Sequence, residues 1–149
     1  MTNQVQFYNR RGEELPLIEM KKYQAEHWKI TLPDDWQVDE DTEVLTLFQP
    51  EGAGELQIST IKFDEPPGGE ALLELAAEHI EAGAEPEEIT LGEFDGLVLE
   101  YEVDGEYGCE WYLLAGSLFL FVTYVCDCGD DEQEHDVVEF ILESLTLMP

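Results

Sequence analysis

The stretch G-C-E-W-Y-L-L-A-G-S-L-F-L-F-V-T-Y-V-C, residues 108–126, decides how the rest of this 149-residue chain is read. It is the longest apolar run in a sequence otherwise rich in Glu and Asp, and Ala115-Gly116-Ser117 divides it into two strands. Successive side chains of a strand point to opposite faces. In the second strand Leu118, Leu120, Val122, Tyr124 and Cys126 therefore share one side, and Phe119, Phe121, Thr123 and Val125 share the other. Both sides are apolar, so both should be covered, as in a central strand of a layered domain. Trp111–Cys126 is short for a bilayer crossing and carries Gly116, Ser117 and Thr123. A buried hairpin is expected, and no membrane association.

Working outward, Leu97, Leu99, Tyr101 and Val103 alternate with Val98, Glu100 and Glu102, and Asp104-Gly105 is a hairpin dipeptide leading into the central pair. Upstream, Trp28, Ile30 and Leu32 alternate with Lys29 and Thr31, ending at Pro33-Asp34-Asp35, with Trp36 capping the core. Asp39-Glu40-Asp41 reads as a solvated loop. Val44–Phe48 and Glu55–Phe63 read as an antiparallel pair around a Gly-rich turn. Glu70–Ala82 has the stripe Leu72, Leu73, Ala76, Ala77 and Ile80 and predicts a helix. A second helix is expected over Asp131–Leu145, with Val137, Val138, Ile141, Leu142 and Leu145 on one face and an acid, Asp130 or Asp131, as N-cap. Residues 1–27 show no clean period and are expected to form an N-terminal extension packing on a domain of residues 28–149.

The formal net charge is −30, and it is unevenly spread. Residues 1–29 hold five basic and four acidic side chains, whereas residues 30–149 hold 32 acids and one base, Lys62. Such a body repels phosphate backbones and anionic membranes and attracts basic partners, so nucleic acid is not expected as a ligand. A hydrophobic content of 44% argues for a folded core despite the charge. The N-terminus has no apolar run resembling a secretory signal, which points to a cytoplasmic protein with reduced thiols.

Taken in order, W-K-I-T-L-P-D-D-W (28–36), L-F-Q-P-E-G-A-G-E-L-Q-I-S (47–59), L-G-E-F-D-G-L-V-L-E-Y (91–101), E-W-Y-L-L-A-G-S-L-F-L-F-V-T-Y (110–124) and I-L-E-S-L (141–145) resemble the Mog/PsbP-like superfamily. That superfamily includes Ran-binding Mog-type proteins, photosystem PsbP and DcrB-like bacterial proteins. The resemblance implies an α+β fold, a three-layer α/β/α sandwich with a central, mainly antiparallel sheet. It implies no catalytic residues, since members are mostly binding or assembly proteins.

Cys126 and Cys128, with Cys109 and His135 elsewhere, lack the paired C-x-x-C spacing of structural zinc sites and read as small core residues. Asp127, Asp130, Asp131 and Glu132 do not match the twelve-residue calcium loop and read as helix capping. No metal or cofactor is expected. His27, His79 and His135 stand apart, without a nucleophile or metalloprotease motif around them, and no enzyme is expected. Aromatic rings set among acids suit the anchoring of a basic protein. Trp36, Tyr107, Trp111 and Tyr112 are the candidate partner-binding residues, core packing being the alternative for them and for Trp28 and Tyr101. The expected function is a non-enzymatic binding or adaptor protein, immunity- or chaperone-like, whose acidic surface engages a basic protein. The competing readings are a metal-binding or enzymatic domain using Cys126, Cys128 and the acidic loop at 127–132, and a salt-adapted domain whose charge has no specific partner.

Overall fold

The run at 108–126 folds as expected, into strands β9 (Glu106–Ala115) and β10 (Leu118–Asp127) joined by Gly116-Ser117. A computed structural model describes residues 3–5, 14, 18–41, 44–50, 52, 54–65, 74, 77, 85–127 and 131–148. The remaining strands are β1 (Asn3–Val5), β2 (Ile18–Gln24), β3 (Trp28–Pro33), β4 (Gln37–Glu40), β5 (Val44–Phe48), β6 (Gly54–Lys62), β7 (Glu87–Leu91), β8 (Phe94–Val103) and β11 (Thr146–Leu147). Helix α1 spans Asp131–Glu143.

These strands form two antiparallel sheets. Seven lie in the order β4-β5-β6-β10-β9-β8-β7, and four in the order β1-β2-β3-β11. The central position of β10, paired on both sides along its length, follows from its two apolar faces. Asp104 and Gly105 both have positive φ, the backbone a tight two-residue hairpin demands, and they join β8 to β9.

The alternation read from sequence assigns the faces correctly. Leu118, Leu120, Val122, Tyr124 and Cys126 lie in the main core with Leu56 and Ile58 of β6 and Tyr107, Cys109, Trp111 and Leu113 of β9. Over this inner face pack the small sheet, through Trp28, Ile30 and Leu32, and the helix, through Val138, Ile141 and Leu142. On the outer face Leu99, Tyr112 and Phe119 form a second cluster, with Phe63, Leu114 and Phe121 half-buried against it.

The three-layer α/β/α sandwich is therefore corrected: the chain is mostly β, with two antiparallel sheets and one short helix among the described residues. The physical reason lies in what alternation encodes. A period of two tells that a strand has one buried face, not which sheet it joins. Trp28–Pro33 alternates as expected but belongs to the covering sheet, so the layer over the inner face is largely a sheet rather than helices. Of the expected helix Glu70–Ala82, only Glu74 and Ala77 are among the described residues, both helical; the rest falls outside them. Ile18–Gln24, within the stretch read as an extension, pairs with β3 from Met20↔Pro33 to Gln24↔Lys29. Gln37–Glu40, read in part as a loop, is an edge strand of the large sheet.

Candidate functional site

The two sheets leave a cleft of about 880 Å³ where the β2–β3 turn overhangs the end of β5 and the last residues of β6. Its floor is the inner face of the large sheet. Glu40, Leu45 and Ile58 stand in one cross-strand row, and Thr60 and Lys62 follow Ile58 along the same face of β6. Its roof is the segment Tyr23–Trp28, closed by the Ala25 N–H donating to the Trp28 carbonyl at 2.8 Å.

Two cross-sheet hydrogen bonds hold the roof to the floor. The indole Nε1 of Trp28 donates to Thr60 Oγ1 at 3.0 Å, and the Tyr23 hydroxyl donates to Glu40 Oε1. Tyr23 packs its ring against Trp28 with centroids 6.4 Å apart. Burial, then the hydrogen bond and negative charge of Glu40, push the Tyr23 hydroxyl up to about 12. It stays a proton donor throughout the physiological range.

The cleft is charged unequally. Glu26, Glu40 and Asp41 stand at the turn end, all exposed, and Lys62 at the other. His27 Nε2 lies 3.9 Å from Glu26 Oε2. A volume of this size falls in the usual range of ligand sites. An aromatic wall beside carboxylates is chemistry for a cationic group. The strand-end position of Lys62 is fixed by the Phe63 N–H donating to the Ser117 carbonyl at 2.8 Å.

A smaller depression of about 320 Å³ lies on the outer face, with Glu55, Glu106 and Asp127 around the exposed Val125. Beside it Glu110 is the one buried charged residue among those described, accepting from the Tyr112 hydroxyl at 3.2 Å.

The four aromatic residues expected to engage a partner are all buried, and the structure does not bring them together. Trp36, Tyr107 and Trp111 lie in the main core, and Tyr112 in the outer cluster, with exposures of 3%, 9%, 5% and 3%. Trp28 is also core, and Tyr101 lies half-buried with its ring over Gly108. Cys109 and Cys126 lie buried on the inner face; burial first, and the nearby carboxylates of Glu100, Glu110 and Glu139, push the Cys109 thiol up. Cys128, Asp130, His79 and the side chains of Asp131, Glu132 and His135 lie outside the description. Among the described residues no group of three His, Cys, Asp or Glu is placed to hold a metal ion.

Tyr23, Glu26, Glu40, Asp41 and Lys62 escaped the sequence reading because they are scattered through the chain and meet only when one sheet lies on the other. One signal was present: Lys62 is the single base among residues 30–149.

No family model matches the chain, and no curated protein matches it. Solved structures do. A protein of Bacteroides thetaiotaomicron VPI-5482 superposes with a TM-score of 0.67 at 15% identity over 87% of this chain, which spans only 48% of that protein's length. The cyanobacterial PsbP of Synechocystis sp. PCC 6803, CyanoP, gives 0.61 at 8% identity, covering 90% of this chain and 95% of its own. LpqN of Mycobacterium tuberculosis, described as involved in cell envelope biogenesis, gives 0.58 at 14% identity, covering 99% and 92%. At these identities the likeness is one of fold: the chain has a PsbP-like fold.

Proposed function

We propose that this chain is a non-enzymatic binding protein of the Mog- and DcrB-related kind, whose acidic surface engages a basic protein partner. The observation that supports this reading best is the inter-sheet cleft, where Glu26, Glu40 and Asp41 surround an opening walled by Tyr23. The buried aromatic residues are not needed as anchors, because Tyr23 supplies a ring at the rim. The net charge of −30 adds long-range attraction for a cation and speeds encounter.

The test is calorimetric titration with a lysine-glycine repeat peptide blocked at both ends, at low and at high salt. Binding at low salt that weakens as salt rises is expected. Replacing the three rim carboxylates together (E26Q, E40Q and D41N) should weaken it about tenfold, as for several partly exposed ion pairs lost at once. Absence of binding at low salt would overturn the reading. Binding unchanged in the triple variant would leave the acidity as a diffuse property, as in a salt-adapted surface.

A further inference from the structure

From the charge layout of the cleft we infer that it receives the C-terminal end of a basic polypeptide, its last Lys or Arg side chain at Glu40 and Asp41 and its terminal carboxylate at Lys62. This rests on the reading of the cleft as a site for a basic partner, and it adds which part of that partner enters.

The first observation is position. Residues 30–149 contain a single basic side chain, and it lines the cleft. The second is spacing along the floor. Glu40 pairs with Leu45, and Leu45 with Ile58, so Glu40 and Ile58 share a row two strands apart. Lys62 lies four residues further along β6 on the same face. Strand spacing and rise put the Glu40 and Lys62 α-carbons on the order of 16 Å apart. Both residues line the opening and carry their charges at the ends of side chains several bonds long, so ligand charges lying between them are closer together than that. A single basic residue with its own carboxylate has this shape, whereas an internal basic residue of a chain offers no anion to Lys62. The third observation is the donor on the roof: the Tyr23 hydroxyl bonds Glu40 Oε1 and so holds that carboxylate at the rim, on the same lining as Asp41 and Glu26.

The field of the protein makes the test decisive. A molecule with a net charge of −30 disfavours any ligand carboxylate unless a local cation reverses the sign. Three probes are titrated into the full chain, with affinities from NMR shifts: acetyl-Gly-Gly-Lys with a free carboxylate, the same tripeptide as its amide, and free lysine. The free-carboxylate peptide should bind about three- to five-fold more tightly than the amide, a magnitude typical of one partly exposed ion pair. K62Q should erase or reverse that preference, with the amide bound at least as tightly once the like charge is gone, and K62R should restore the preference. Retained amide binding in K62Q also shows that the variant is folded. Equal binding of acid and amide by the unmodified chain would overturn this inference and leave the basic-partner reading standing. Free lysine binding as tightly as the tripeptide would overturn it too, in favour of a free amino acid. If no probe binds and the blocked lysine-glycine peptide also fails, both readings fall.

Discussion

The two faces of the seven-stranded sheet use the same strands for different ends. On the inner face Leu47, Leu56, Ile58, Leu113, Leu120 and Val122 are at most 1% exposed beneath the small sheet and the helix. On the outer face the buried residues among those described gather around Leu99, Tyr112 and Phe119, with Leu97 and Glu110 beside them, while Ile61 and Val125 stand 46% and 37% exposed. Toward the β6–β10–β9 end that face becomes acidic, with Glu55, Glu106 and Asp127. The contrast teaches where the sequence has freedom. One side of β10 is fixed by close packing, and the other tolerates polarity, so charge accumulates on the outer face and at the rim of the inner one.

The largest effect expected from this contrast is at Leu120. Leu120→Ala leaves a cavity against β6 and β9 and should cost about 2–5 kcal/mol in denaturant unfolding. Next comes Gly92, between β7 and β8, whose φ of +60° suits glycine. A Cβ there would sit 2.0 Å from the Leu145 carbonyl oxygen, so Gly92→Ala should push the chain after α1 off the turn. Backbone strain alone sets a cost of about 1–3 kcal/mol, read as a fall in Tm. Trp28→Phe loses the bond to Thr60, worth about 1 kcal/mol as a cross-sheet link, and also part of the buried indole's packing.

A smaller effect belongs to the Tyr23–Glu40 pair at the cleft rim. The Tyr23 hydroxyl is raised from 10.0 to about 12, so its contribution to stability is complete below pH 10 and disappears as pH climbs through about 12. In an ultraviolet titration of tyrosinate, E40Q should lower the late-ionising Tyr23 component part of the way, since burial remains, and leave the raised Tyr101 component where it is. The smallest effect is expected at Val125→Ser on the open outer face, within about 0.5 kcal/mol. A cost at Val125 comparable to that at Leu120 would break the contrast between the faces.

Much of the strand pattern was legible in the sequence. The alternation through 118–126 assigned both faces of β10, Asp104-Gly105 announced the β8–β9 hairpin, and Val44–Phe48 matched β5 residue for residue. What alternation does not carry is partnership between sheets. Trp28–Leu32 showed its buried side in the sequence but not that this side would share, from a separate layer, the core that holds Ile58 and Leu113. Ile18–Gln24 was harder still. Its Lys21, Lys22 and Gln24 dilute the apolar signal, while Lys21 reaches over to donate to the Asp34 and Trp36 carbonyls. The cleft was illegible for the same reason, since its walls come from β2–β3, β4–β5 and β6 and meet only through the stacking of the two sheets. Trp36, Tyr107, Trp111 and Tyr112 drew attention by their chemistry, but large rings among strands serve the core first.

The central claim, that the cleft between the sheets and not the acidic outer face receives a basic partner, is tested most directly by amide shift mapping. The blocked lysine-glycine peptide is titrated into the isotope-labelled full chain and the perturbed residues are located. The account predicts shifts concentrated at Tyr23–Trp28, Glu40–Leu45 and Ser59–Lys62, with Tyr23 and Asp41 among the largest. Shifts concentrated instead at Glu55, Gln57 and Thr123–Asp127, around the outer depression, would contradict it.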